Sequence, residues 1–338
     1  MKSKILAILL FLFLYPFTLY AEDRDSIIFA GIDYIHQDKF DEGIAEFKKL
    51  IQLNPDDAGG YMYVAASLVS IIDDYRNPSY RWEFEKYINL AIQKGEERMN
   101  KGNCTAEDLL YLGGSYGYRG IYRSFNGDWW GAFWDGGKAK KFLEKGIETD
   151  STYYDIYFGL GAYNFYRSIK SKMLWWLPFF GDKRKLGIEQ TKLAIQKGKV
   201  TRDEAEYGLL RIYVENQQYD SALALGPDLK KIKPDDPFLL WFLGQAQIKK
   251  GMYKDALESY QTLLKTFEAF KYSTPRGMVE TRYWIAYLYQ VMGDKANCLE
   301  QIDQILKYQA QGESDDYIKE FIQKALDIKK SIRQHNQP

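Results

Sequence analysis

The sequence predicts an all-α chain built from repeated helix pairs, and three regularities carry that prediction. Small residues recur twelve positions apart, Gly31 with Gly43, Gly244 with Ala256, and Ala286 with Cys298, and Leu210 stands at the same distance from Ala222. Further apolar residues follow at helical intervals, such as Phe47 and Leu50, or Tyr260 and Leu263. The string LAIQKG occurs at 90–95 and again at 193–198, and Pro55 and Pro234 fall 24 residues after Gly31 and Leu210. Two helices that cross closely need little bulk at the crossing, and proline ends a helix because its ring blocks the preceding turn.

Taken in order, the elements begin with MKSKILAILLFLFLYPFTLYAED, in which Lys2 and Lys4 precede an apolar run from Ile5 to Tyr20. That is the pattern of a secretory signal ending near Ala21, so residues 1–21 are expected to be a signal peptide. Leu19 sits where a small residue is preferred, which leaves an uncleaved anchor open, while Pro16 argues against a spanning helix. The product is expected to be exported, periplasmic or secreted, and soluble or peripheral to a membrane. Residues 22–338 are expected to form one repeat domain, with units at about 24–57, 58–103, 106–151, 153–200, 203–236, 237–270 and 278–311, and a terminal helix over 314–333.

Four units are clean: FAGIDYIHQDKFDEGIAEFKKLIQLNP (29–55), EYGLLRIYVENQQYDSALALGPDLKKIKP (206–234), LLWFLGQAQIKKGMYKDALESYQTLL (239–264) and YWIAYLYQVMGDKANCLEQIDQIL (283–306). These segments resemble the tetratricopeptide repeat, a helix–turn–helix unit of about 34 residues. The resemblance implies a right-handed α-solenoid of about seven repeats with a C-terminal capping helix, and a role in binding a protein or peptide. Two units depart from the pattern. Their twelve-residue interval becomes 26, from Gly113 to Ala139 and from Gly161 to Gly187, so each carries fourteen extra residues between its first and second helix.

Those insertions hold much of the aromatic excess in a chain with 28 Tyr, 19 Phe and 8 Trp. The first, at about 119–132 within YRGIYRSFNGDWWGAFWDGG, contributes Trp129, Trp130 and, just beyond it, Trp134. Asp128 is placed to cap a second helix starting at Trp129, and the rings of this stretch are expected to fill core between lengthened helices. The second, at about 167–180, runs through RSIKSKMLWWLPFFGDKRKLG and contributes Trp175, Trp176, Phe179 and Phe180, with Asp182 as its cap. Arg167, Lys170 and Lys172 precede its apolar run and Lys183, Arg184 and Lys185 follow, a pattern suited to an anionic membrane surface or lipid as an alternative partner through 167–185. Equivalent turns of stacked repeats share an edge, so the two insertions are expected to meet. FFGDKRKLGIEQTKLA also resembles the eukaryotic inclusion-body clearance family of repeat proteins, which is linked to lipid droplets. Secreted bacterial repeat proteins are similar across GGSYGYRGIYRSFNGDWWGAF.

In tetratricopeptide arrays the first helices line the concave face. Carried over by register, that face holds Tyr118, Phe158, Phe165, Tyr166, Tyr207, Arg211, Trp241, Lys249, Tyr283 and Tyr287, with Met62 and Leu110 ahead of them. It would accept an extended apolar peptide or an acyl chain with a carboxylate on Arg211, or, with tight winding, be filled by its own side chains.

A non-enzymatic protein is expected, with no cofactor and no metal. His36 and His335 are the two histidines, and Cys104 and Cys298 lie far apart without a histidine at a recognisable spacing. Cys298 takes a position where a repeat wants a small core residue. The acidic pairs Asp56–Asp57, Asp73–Asp74, Asp235–Asp236 and Asp315–Asp316 stand at repeat ends, where carboxylates cap helices and face water. A carboxylate-dependent hydrolase using Asp128 and Asp135 is the distant alternative. The formal charge is zero, and no basic stripe invites nucleic acid.

Overall fold

The structure is a computed structural model that describes residues 24–170, 181–310 and 315–334. The described residues form helical hairpins in the expected order: α1 (24–36) with α2 (Phe40–Leu53), α3 (Ala58–Asp74) with α4 (Arg81–Lys101), and α5 (Ala106–Phe125) with α6 (Trp129–Thr149). There follow α7 (Ile156–Lys170) with α8 (Arg184–Lys197), α9 (Arg202–Glu215) with α10 (Tyr219–Ile232), α11 (Pro237–Lys249) with α12 (Tyr253–Ala269), and α13 (Pro275–Val291) with α14 (Lys295–Ala310). A final helix, α15 (Asp316–Gln334), stands where the cap is expected. The signal segment, His335 and residues 171–180 lie outside the described residues, and so do Trp175, Trp176, Phe179 and Phe180.

The twelve-residue interval has the packing meaning expected of it. Leu210, Ala222, Ala256, Ala286 and Cys298 are all fully buried. Seven residues after the first member of each clean pair the backbone turns left-handed, at Asp38 (φ 56°), Gln217 (61°), Gly251 (74°) and Gly293 (80°). That residue reverses the chain between two antiparallel helices. At the α7–α8 crossing a Cβ on Gly187 would lie 2.6 Å from the Gly161 carbonyl oxygen and 2.8 Å from the Phe165 nitrogen, so only glycine fits.

Caps and breakers set the helix ends. Thr105 and Asp108 form a reciprocal capping box at α5, and Asp128 Oδ1 accepts from Gly131 N at 2.9 Å at the start of α6. Asp236 caps α11 through Leu239 N at 2.8 Å, with Pro237 as the first helical residue. Asp182 accepts from Arg184 N, one residue later than expected, because α8 begins at Arg184 rather than Lys183.

Packing divides the described chain into two compact units. One comprises residues up to Leu68 together with Trp82–Gly159; the other comprises Val69–Arg81 together with residues from Leu160 onward. In the first unit Arg24 of α1 donates to Glu107 at 3.0 Å and to Tyr111 Oη at 2.9 Å, both on α5, and pairs with Asp57 at 3.3 Å. In the second, Phe165, Leu209, Leu210, Leu239 and Leu243 form one core cluster, while Ile302, Ile305, Ile318 and Phe321 tie α14 to α15 in another.

Candidate functional site

The second unit contains a cavity of about 150 Å³ against the first helices of its hairpins. Helical spacing puts Tyr207 and Arg211 on one stripe of α9, Phe238, Trp241 and Phe242 on one of α11, and Glu280 and Trp284 on one of α13. Behind them, Trp241, Tyr260 and Trp284 form an aromatic cluster with ring centroids 5.8–6.1 Å apart.

The opposite wall comes from a distant part of the sequence. Residues 69–81 contain the last turn of α3, a left-handed Arg76 (φ 52°), and a 3-10 turn at Pro78–Tyr80. Arg76 Nε donates to Glu280 Oε2 at 2.9 Å, and its guanidinium lies 5.2 Å from the centre of a Trp241 ring. Asn77 Nδ2 donates to the Tyr272 carbonyl at 2.8 Å, and Thr274 Oγ1 donates to the Arg76 carbonyl at 2.8 Å. Tyr75 stacks on Phe270 at 4.8 Å. The segment is thus held by side-chain hydrogen bonds to main-chain carbonyls, an ion pair and ring stacking.

Charge within the cavity is mixed. Burial opposes the charge of Arg76, but Glu280, Tyr317 and Asp73 outweigh it and hold the guanidinium pKa above its ordinary value. Burial first, then the neighbouring Asp73 and Asp236, push Asp74 well above the usual carboxylate range, against a downward pull from Arg76 and Lys233. Asp73 and Asp74 both line the cavity, the Asp73 side chain remaining 33 % exposed. The sequence signal for this was slight: two acids at a helix end look alike whether solvent or another hairpin lies beyond them.

Of the expected groove residues, Tyr166, Arg211 and Trp241 do gather here. Arg211 lies 5.7 Å from the Tyr166 and Phe242 ring centres. It is no open carboxylate receptor, however, since it donates to Glu215 at 2.8 Å and stands 3.7 Å from Asp73. Tyr207 packs edge-on to Phe238 at 5.9 Å, just beyond the cavity wall. Phe165 is fully buried and belongs to the core, because its position on α7 faces α8 where Gly187 admits it. Tyr283 and Tyr287 join the Trp284 cluster, with Tyr283 packed on Phe321 of α15, and Lys249 is exposed at the end of α11. Tyr118 and Phe158 belong to the first unit and are half-buried, while Met62 and Leu110 there are buried.

The first insertion corrects two expectations. Its rings are not core: Trp129, Trp130, Phe133 and Trp134 are exposed, Trp130 at 77 % and Trp134 at 66 %. Nor do Asp128 and Asp135 flank a cleft. Asp135 is buried and spanned by two guanidinium groups, from Arg119 and Arg123, at 2.8 Å each, while Asp128 caps α6. Cys298 is buried where a small core residue is expected, and burial pushes its thiol up to about 11.

The hairpin geometry defines the class: an all-α array of tetratricopeptide-type helix pairs. No protein-family model matches the sequence, and no curated protein matches it. Solved structures similar to this chain include YrrB, described as a TPR protein with an unusual peptide-binding site, at 17 % identity and a TM-score of 0.44, covering 70 % of this chain and 97 % of that one. Another is the C-terminal part of a TPR repeat-containing protein from Cytophaga hutchinsonii, at 18 % identity and a TM-score of 0.45, covering 87 % and 99 %. A third is a thermophilic TPR protein from Thermus thermophilus, at 15 % identity and a TM-score of 0.44, covering 66 % and 98 %. The class rests on the hairpins themselves, not on likenesses at this level.

Proposed function

We propose that the chain is a non-enzymatic scaffold that holds an extended peptide or a segment of a protein partner, acting after export by its N-terminal leader. One observation carries this reading. The face of α9, α11 and α13 already grips a stretch of polypeptide, residues 73–80, through Glu280, Trp241 and the Tyr272–Thr274 turn. Side-chain hydrogen bonds to main-chain carbonyls, together with a stacked cation, are contacts by which a groove can hold a peptide. Beside the occupied part, the cavity keeps room for a side chain between Phe238, Trp241 and Asp74. The bound segment is one the chain supplies itself, and a partner would dock alongside it.

The test is selection of a random peptide library on the chain starting at Glu22, which retains every described residue. Enriched peptides should bind with a Kd near 10 µM, an affinity of about 7 kcal/mol, and weaken about tenfold in Phe238→Ala or Asp74→Asn. Failure to enrich any peptide, or binding indifferent to both substitutions while the variants remain folded, would sink the proposal.

A further inference from the structure

The α5–α6 hairpin of the first unit ends in a surface that the peptide reading does not use. At 100° per residue, Trp129, Trp130, Phe133 and Trp134 occupy an arc of about 140° on α6. The packed residues Asp135, Ala139, Phe142, Leu143 and Gly146 are centred about 190° away from the middle of that arc. Phe125 and Ile121, at the end of α5, are also exposed. Taking about 200 Å² for a whole ring side chain, the five rings present roughly 600 Å² to solvent, at the upper end of what a monomer's largest apolar patch exposes.

We infer that this hairpin end is a foot that inserts into the interface of an anionic lipid bilayer, with its tryptophans at the headgroup–acyl boundary and a collar of lysines on the headgroups. Three observations favour a bilayer over another protein. First, the turn takes up most of its own backbone N–H groups: Asn126 N donates to Tyr122 O at 3.3 Å, Gly127 N to Ser124 O at 3.3 Å, Asp128 N to Arg123 O at 2.9 Å, Trp129 N to Gly127 O at 3.0 Å, and Gly131 N to Asp128 Oδ1 at 2.9 Å. The side chains of Ser124 and Asn126 also bond inward, to the carbonyls of Ile121 and Tyr122. A protein partner can complete an open turn, whereas lipid cannot, so only a closed turn can enter it.

Second, the charges at this end cancel internally. Arg119 and Arg123 both bind the buried Asp135, and Asp128 lies 3.6 Å from Arg123. Third, cations outnumber acids along α6 beyond the rings. Lys140 and Lys141 fall within the ring arc at about 20° and 120° and Lys145 and Lys138 beside it at about 160° and 180°, one to three turns beyond Trp134, against Glu144 and Glu148 at about 60° and 100°. Lys138 is shared with Tyr116 Oη at 2.9 Å and Glu96 at 3.8 Å, and Glu144 is held by Lys140 at 2.9 Å. An aromatic end followed by lysines matches the polarity of an anionic interface, where indole rings settle at headgroup depth. The 20- and 21-residue helices exceed the 14-residue α9 and α10 by six or seven residues, an extension of roughly 10 Å. That is about the depth of an interfacial insertion.

The experiment is flotation of the chain starting at Glu22 with vesicles of equimolar phosphatidylglycerol and phosphatidylcholine, and with pure phosphatidylcholine. Trp130→Ser/Trp134→Ser is compared with Trp82→Ser, a control at another exposed tryptophan (72 %). The wild type and the Trp82 control should float with the anionic vesicles. The double variant should partition about tenfold less, with unchanged helical circular dichroism, and binding to pure phosphatidylcholine should be weaker. The inference is overturned if the wild type floats with neither vesicle, or if the double variant floats as well as the wild type. It is equally overturned if light scattering shows a dimer that the same two substitutions dissociate, because the patch then belongs to a second copy.

Discussion

Arg76→Ala is expected to cost the second unit about 4 kcal/mol. The structure supplies the reasoning. Glu280 is buried, and Arg76 donates to it at 2.9 Å while stacking over Trp241 at 5.2 Å. Removing one partner of a buried pair strands the other charge, at a cost of about 3–5 kcal/mol. The side chain of Arg76 is 20 % exposed, which favours the lower end, and loss of the stacked cation adds about 1 kcal/mol. Arg76→Met/Glu280→Leu removes both charges and should cost only about 1–2 kcal/mol, so stranding Glu280 should cost about 2 kcal/mol more than removing the whole pair. The two units need not unfold together, so urea melting by fluorescence should be paired with native-state hydrogen exchange on the amides of 69–81. If Arg76→Ala costs under 1 kcal/mol and leaves exchange across 69–81 unchanged, the segment is not anchored as described, and the grip from which peptide binding is argued is lost with it.

Two further outcomes are expected of single substitutions. Gly187→Ala should lower stability by about 2–3 kcal/mol in a thermal melt because its methyl would meet the Gly161 carbonyl and the Phe165 backbone, whereas Gly137→Ala, with nothing within 4 Å, should raise it by about 0.5–1 kcal/mol; equal effects would discredit the close crossing of α7 and α8. Asp74 has a folded pKa above its unfolded value, so its contribution is fully present below the unfolded pKa and is lost as pH rises toward the folded one. Asp74→Asn should therefore raise stability near neutral pH and flatten the decline above pH 4, and a variant with the wild-type slope would refute the assignment.

The hairpins were legible because their signal is local. A compact residue, another twelve positions on, and a turn between them are all set within one pair of helices, and Ala256, Ala286 and Cys298 proved as buried as that arithmetic requires. The partnership of Arg76 with Glu280 was not legible, since 204 residues separate them and periodicity carries no information about which hairpins meet. Arg211 illustrates the consequence. Register placed it on the correct face with aromatic neighbours, yet could not reveal that Asp73 stands 3.7 Å away.

The exposure of the aromatic insertion was not legible for a different reason. Buried rings are usually core, and helical spacing groups Trp129 and Phe133 with Leu143 and Gly146 on one broad face of α6. The buried stripe of α6 includes Ala139, Phe142, Leu143 and Gly146, and tracing it back toward the N-terminus arrives at Asp135, not at a ring. A carboxylate in the packed stripe demands cations, and Arg119 and Arg123 stand one turn apart on the preceding helix to supply them. Once those three residues fill the contact between α5 and α6, the rings on the opposite arc remain exposed. The ion-paired core and the exposed aromatic face are thus one design: the first frees the second for contact with something outside the hairpin.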